Sequence, residues 1–179
     1  MKQFYSMLAV FDLDGTLYEG NSHIEILCAY YHTNFYKSLP FRGFAFFLSS
    51  LSQKIMDWKY AQIPMEVKSS FAMPYRGEVL KILRDKQKDG HKTIILSSAP
   101  EELICHASKD LSIEGRKACA GKKHELIQEE YAFDRLFVCT DNKTDIDLLS
   151  MATEAVIACP ERHRSYFRER LPNHLCVFL

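Results

Sequence analysis

The sequence lacks most of the features that would place it in a class at a glance. It has no net charge, because 23 Lys and Arg balance 23 Asp and Glu over 179 residues. No overall field therefore draws the molecule to nucleic acid or anionic lipid, and any anion it binds must be captured locally. Its six cysteines, Cys28, Cys105, Cys119, Cys139, Cys159 and Cys176, show no Cys-x-x-Cys spacing. That argues against a disulfide framework and for a reducing compartment. No secretory signal is seen, since "MKQFYSM" leads straight into the first predicted strand, and a cytoplasmic location is expected. Internal repeats and low-complexity tracts are also missing. The apolar segment "LPFRGFAFFLSSL", Leu39 to Leu51, is too short to span a bilayer and carries Arg42. It reads as an aromatic-rich helix packed against neighbours, with membrane contact the lesser alternative and no stable membrane insertion.

What is present is material for one full core: 47% of residues are hydrophobic and 12% aromatic. Three short apolar runs share a pattern. "MLAVF" ends at Asp12, "TIIL" at Ser97, and "LFVC" at Thr140-Asp141. None alternates with polar residues, so each reads as a strand buried on both faces of a parallel sheet. Helical patterns lie between them: "GEVLKILRDKQKDG", "PEELICHASKDL" and "KTDIDLLSMA". "EAVIAC" and "LCVF" add two strands around a charged helix, "ERHRSYFRERL", whose interleaved acids mark a solvated face. Strand and helix in alternation predict an α/β fold built on a doubly wound parallel sheet. The stretch 21–73 breaks the rhythm with helical runs and no convincing strand. It reads as a small helical cap inserted into a core made of 1–20 and 74–179.

In open α/β sheets, ligands bind outside the carboxyl ends of the strands. Parallel pairing of the three runs would gather Asp12, Asp14, Ser97 and Asp141 there. Unpaired carboxylates at a core edge are costly, so something cationic should meet them. All-oxygen donors without a histidine pair favour a hard ion such as Mg²⁺ over zinc. A cation beside a Ser hydroxyl, a Gly backbone and a Lys is a setting for a phosphoryl group.

These residues carry a resemblance. "FDLDGTL" is similar to the first motif of the haloacid dehalogenase superfamily of phosphohydrolases. "TIILSSAP" resembles its second motif, "GKKHEL" its lysine motif, and "TDNKTDIDLL" its acidic motif. The four follow in order, and the cap position resembles the phosphoserine-phosphatase-like branch. The resemblance implies a Rossmann-like core and a Mg²⁺-dependent phosphatase acting on a small phosphorylated metabolite. Asp12 would be the nucleophile that becomes an aspartyl-phosphate, and Asp14 the general acid and then base. The metal would lie among the Asp12 carboxylate, the Asp14 backbone carbonyl and Asp141. Thr16, Ser97 and Ser98 would serve loop and phosphate, a lysine would neutralise phosphoryl charge, and Asn142 and Asp145 would support them. A phosphotransferase or phosphomutase shares this core chemistry, and a non-catalytic phosphate-binding module is the alternative from another class.

Several positions depart from the pattern. Thr140 stands where family members mostly have Gly, and Asn142 where they mostly have Ser. The lysine is open between Lys122 and Lys123; Lys122 is chosen because Leu126 then falls four residues later, inward with it on a helix. The stretch from Lys109 to Gly121 looks short, as if a strand were trimmed. Glu19, His23 and Glu25, just past the first motif, are lesser candidates for substrate contact. The pair Cys28 and His32 has helical spacing but no third or fourth ligand. Aromatics of the insertion (Tyr30, Tyr31, Phe35, Tyr36, Phe44, Phe46 and Phe47) suit an apolar leaving group or plain core packing.

Overall fold

The computed structural model describes residues 2–172 and 177–179. Among these, six strands form one sheet: β1 (Gln3–Phe11), β2 (Lys92–Ser97), β3 (Glu114–Lys117), β4 (Tyr131–Thr140), β5 (Glu154–Ile157) and β6 (Val177–Phe178). Their order is β3-β2-β1-β4-β5-β6, and every neighbouring pair is parallel. The fold is the doubly wound α/β arrangement that the alternation predicts. Chain direction across the sheet reverses between β1 and β4, so a crevice opens beyond their carboxyl ends.

Side-chain alternation along the strands feeds two cores. Leu8, Val10, Ile94, Leu96, Leu136 and Val138 point to one face. There they meet helices α7 (Lys123–Glu130), α8 (Ile146–Ser150) and α9 (Glu161–Arg168) through Ile127, Leu148 and Phe167. Ala9, Phe11, Ile95, Phe137 and Cys139 point to the other. Helices α5 (Gly77–Lys88) and α6 (Glu101–Leu111) cover that face with Val79, Leu83, Ile104 and Ala107. Each such side chain, fully buried, contributes roughly 1.5–3 kcal/mol. The sheet is thus fixed from both sides, and the loops at its carboxyl edge are held on a rigid base.

Four helices occupy the segment between β1 and α5: α1 (Ser22–Tyr30), α2 (Leu39–Phe47), α3 (Ser49–Ala61) and α4 (Met65–Ser70). Asn21 caps α1 by accepting from the Ile24 N–H, and Ser38 caps α2 with Pro40 in its first turn. Their own cluster of Ile26, Leu27, Tyr36, Phe41, Tyr60 and Ile63 includes Leu103 from α6. Tyr60 also donates to Glu102 at 3.2 Å, and the Ser69 carbonyl lies 2.8 Å from Nδ1 of His106. The insertion is therefore fastened to α6.

Two expectations need correction, and a third falls partly outside the described residues. A strand is not trimmed between Lys109 and Gly121: β3 runs through "EGRK" and pairs with β2. It is a polar edge strand, held by its ladder and by ion pairs of Glu114 with Lys92 and of Arg116 with Glu130. Gly115 lets α6 approach, because a Cβ there would lie 2.9 Å from Ile104 Cγ2 and 2.9 Å from Ser108 Cβ. Helix α1 stops at Tyr30, and His32 takes φ 49°, so Cys28 and His32 do not share a helical face. Of "LCVF", Val177 and Phe178 form β6, and Leu175 and Cys176 lie outside the described residues.

Candidate active site

The crevice at the strand ends is a cleft of about 500 Å³ lined by Asp12, Asp14, Ser97, Ser98, Asp141 and Asn142, with Gly15, Gly20, Asn21, Lys143 and His163. Asp12 follows β1 directly; its N–H donates to the Cys139 carbonyl at 2.9 Å, and its Oδ1 accepts from the Leu13 N–H at 2.8 Å. The chain then turns tightly over Leu13–Leu17. Gly15 makes that turn at φ +73°, and a Cβ on it would overlap the Asp141 carboxylate, so only glycine leaves both the turn and Asp141 in place. Thr16 locks the two loops together. Its hydroxyl donates to Asp141 Oδ1 at 3.1 Å and accepts from the Asp141 N–H at 2.9 Å.

Asp14 Oδ1 accepts from the Ser22 N–H at 2.8 Å, which ties the turn to the start of α1. Burial pushes its carboxyl up to about 6, with the Ser22 bonds opposing and the Asp12 charge adding. Asp141 is likewise pushed up to about 6, first by burial and then by the charge of Asp12. Ser97 is almost fully buried at the end of β2. Its Oγ accepts from the Ala99 N–H at 3.2 Å, which leaves the hydroxyl proton to donate. Ser98 is exposed beside it on the cleft wall.

The lysine expectation is corrected. Lys123, not Lys122, reaches this group. Its ammonium lies 2.9 Å from Asp12 Oδ1 and 2.7 Å from Asp145 Oδ2, with 1% of the side chain exposed. Burial alone would pull the ammonium down, but Asp12 and Asp145 outweigh it and hold it raised. Lys122 stands just before α7 with its side chain 65% exposed, 3.8 Å from Glu125. The inward residue four positions on is Ile127, fully buried, rather than the partly buried Leu126. Helical spacing applied to Ile127 instead of Leu126 points to Lys123.

Thr140 also gains a physical account. Its hydroxyl donates to Asp145 Oδ2 at 2.8 Å and accepts from the Asn142 N–H at 3.0 Å. A glycine there would supply neither bond. Asn142 turns its own Oδ1 to Thr144 N and Oγ1, capping the short turn Lys143–Asp145. Asp145 is buried behind Lys123 instead of lining the cleft. Arg76 was missed from the sequence; it donates from its side chain to the Gly15 carbonyl at 2.9 Å and from its backbone to the Leu17 carbonyl at 2.7 Å. Only fold geometry brings it to the turn, and no motif marks it.

A second cleft of about 680 Å³ adjoins the first at Ser98 and runs between α3, α4 and α6. Its lining mixes Gln53, Asp57, Glu102, Lys109 and Lys117 with Tyr60, Met65 and Pro100, and it includes His23, whose burial lowers its imidazole. Glu25 pairs with Lys37 at 2.6 Å, and Glu19 faces another surface. None of the seven insertion aromatics lines either cleft.

The donors at the first cleft fit a hard cation. The hydrogen bonds to Asp12 and Asp141 fall on Oδ1 of each, which leaves Oδ2 of each outside those bonds. No group of three or more His, Cys, Asp or Glu side chains among the described residues is arranged to hold a metal. Two carboxylates and a backbone carbonyl, completed by water, match an ion that retains part of its hydration shell.

The family model described as haloacid dehalogenase-like hydrolase matches residues 9–150, from β1 through α8. The chain belongs to this family. Within it, the match takes in every residue of the first cleft except His163. Comparison with curated proteins gave no match. Solved structures match over nearly the full length at low identity. One is a phosphoserine phosphatase as a phospho-aspartyl intermediate analogue, 13% identical over 99% of this chain and 94% of that one, with TM-score 0.67. A substrate-bound phosphoserine phosphatase complex is 13% identical over 97% and 93%, TM-score 0.65. A phosphoserine phosphohydrolase-like protein from Francisella tularensis subsp. tularensis SCHU S4 is 14% identical over 96% and 94%, TM-score 0.65. At these identities the likeness concerns the fold.

Proposed function

We propose that this haloacid dehalogenase-like hydrolase is a phosphatase that cleaves a small phosphomonoester through an aspartyl-phosphate on Asp12. The observation that carries the reading is the buried contact of Lys123 with Asp12 at the mouth of a cleft that also holds Asp14, Ser97 and Asp141. Phosphoryl transfer needs little beyond positioning and charge stabilisation around three equatorial oxygens. An Asp12 carboxylate oxygen attacks phosphorus, and the bond to the ester oxygen breaks. Asp14, whose burial raises its hold on a proton, gives that proton to the departing alkoxide. Water then attacks the aspartyl-phosphate, Asp14 takes the water's proton, and phosphate leaves. Ser97 donates to a phosphoryl oxygen, Ser98 assists, and Lys123 balances the charge that Asp12 and the phosphoryl group bring together. Asp145 and Thr140 hold Lys123, and Thr16 and Asn142 hold the Asp141 loop.

Asp12, Asp141 and the Asp14 carbonyl would hold Mg²⁺. When bound, it supplies Lewis-acid neutralisation of the phosphoryl oxygens and of the carboxylate repulsion. Helices α1–α4 act as a cap, residues 21–73, over a core of 1–20 and 74–179. Asp57, Glu102, Lys109 and Lys117 on the wall of the adjoining cleft suit a polar, charged leaving group, and hence a small phosphometabolite. The described cysteines are free, which suits a reducing cytoplasm. The test is turnover of p-nitrophenyl phosphate and a phosphometabolite panel, with Mg²⁺ or with chelator, beside Asp12→Asn. Turnover that needs both the metal and Asp12 supports the reading; turnover independent of either overturns it.

A further inference from the structure

The hairpin of α2 and α3 ends in an apolar tip. Phe46 and Phe47 are 82% and 81% exposed, and Leu48 and Leu51 are 51% and 48% exposed. The two phenyl rings meet edge to face, 5.2 Å between centroids, out in solvent. Inward residues of the same helices, Phe41 and Tyr60, are buried in the insertion's cluster. The hairpin is therefore packed along its inner side, and its exposed apolar side chains gather at the α2–α3 junction, with Leu39 and Trp58 exposed farther along. A contiguous exposed group of this kind marks a contact surface.

Charge around the tip selects the partner. From Leu39 to Tyr60 the chain carries Arg42, Lys54 and Lys59 against one acid, Asp57, although the whole molecule is neutral. Asp57 accepts from Gln53 at 2.8 Å and lines the cleft toward α6. Arg42 stands one helical turn before Phe46, and Lys54 one turn after Leu51. Both are exposed, and neither makes a salt bridge among the described residues. Trp58, the single tryptophan, is 61% exposed and follows Leu51 and Lys54 along the same row of α3. Aromatic and aliphatic side chains in front, with cations one turn behind, suit the boundary between headgroups and acyl chains of an anionic bilayer. A second copy of the hairpin would bring like charges together around the same tip.

We propose that the α2–α3 hairpin docks this protein peripherally on an anionic lipid surface. Phe46, Phe47 and Leu48 enter the headgroup boundary, and Arg42 and Lys54 meet lipid phosphates. No helix among the described residues is long and apolar enough to cross a membrane, so the contact is one of surface binding. The inference is independent of the chemistry assigned to Asp12.

The test mixes the full chain with phosphatidylcholine vesicles, with or without about one-third phosphatidylglycerol. Co-sedimentation and Trp58 fluorescence are read together. The expected result is binding at least about tenfold stronger to the anionic vesicles, weakened by salt and accompanied by a blue shift of Trp58. The double variant F46S/F47S, with an unchanged thermal melt and unchanged p-nitrophenyl phosphate turnover without vesicles, loses that binding and the shift. R42A/K54A loses the preference for anionic lipid. Equal binding to both vesicle types, or equal binding by wild type and F46S/F47S, overturns the proposal. So does a wild-type chain that ignores vesicles, whether it stays monomeric or self-associates through Phe46 and Phe47.

Discussion

The Nζ atom of Lys123 lies 2.9 Å from Oδ1 of Asp12, with 1% and 6% of the two side chains exposed. Lys123 sets a positive charge against the buried carboxylate and shares Oδ1 with the Leu13 N–H, which fixes its rotation. Asp145 in turn holds Lys123, so Asp12 is oriented through a chain of contacts that begins at Thr140 of β4.

Lys123→Ala should lower turnover by about 10²–10³-fold, as loss of a group that stabilises developing charge does. It should also cost the metal-free protein roughly 3 kcal/mol, because Asp12 and Asp145 are left buried without their cation. Lys122→Ala, at an exposed position, should stay within about 0.5 kcal/mol and near wild-type turnover. Steady-state kinetics and urea denaturation of the pair decide this, and equal effects would return the role to neither lysine.

Asp141 gives a pH prediction for the metal-free protein. Its folded value of about 6 lies above the ordinary 3.8. Between those values the folded protein holds a proton that the unfolded chain has released. Stability therefore falls as pH rises from about 4 to about 6, and the deficit persists above. Asp141→Asn should be more stable than wild type at pH 7.5 in chelator, on the order of 1–3 kcal/mol. Its advantage should vanish near pH 4. Added Mg²⁺ should stabilise wild type and not the variant, reversing their ranking. Thermal melts at the two pH values, with and without metal, check all three signs.

Asp14→Asn separates the proton's role from the nucleophile's. An alkyl phosphate, whose leaving group needs the proton, should lose about 10²–10⁴-fold in turnover. p-Nitrophenyl phosphate has a good leaving group and should still phosphorylate the enzyme. Rapid mixing should then show a burst of about one equivalent of nitrophenol followed by slow turnover, since the water lacks its base. Absence of a burst together with equal losses on both substrates would contradict the assignment.

Thr140→Val removes the hydroxyl at constant shape and strands the bonds to Asp145 and Asn142. It should cost about 1–3 kcal/mol in urea denaturation and lower kcat more than it raises KM, because Lys123 loses its fixed support. Thr140→Ser should restore both.

The sheet was readable because β1, β2 and β4 are buried on both faces where they announce themselves as apolar runs that end in chemistry-bearing residues. β3 escaped because an edge strand needs only its ladder, and "EGRK" has no apolar face to display. Asp12, Asp14, Ser97 and Asp141 were readable for the same reason as their strands: each stands where an apolar run stops. Lys123 sits at the start of a short helix, where spacing from Leu126 and from Ile127 argue for different lysines; only burial distinguishes them. Arg76 and the Thr140 hydroxyl act on backbone and side chains distant in sequence or hidden beneath a loop, so no local pattern records them. The insertion's aromatics were open between leaving-group contact and core packing: Tyr31, Tyr36 and Phe44 join the insertion's own cluster, and Tyr30, Phe35, Phe46 and Phe47 are exposed.

The most direct measurement is chemical trapping of the covalent species. The wild-type chain, quenched with acid during turnover of a ³²P-labelled phosphomonoester in Mg²⁺, should carry label on the peptide that contains Asp12. Borohydride should convert that one side chain to homoserine, and chelator or Asp12→Asn should abolish both signals. Sustained turnover with no labelled protein, or label on any residue other than Asp12, would contradict the account.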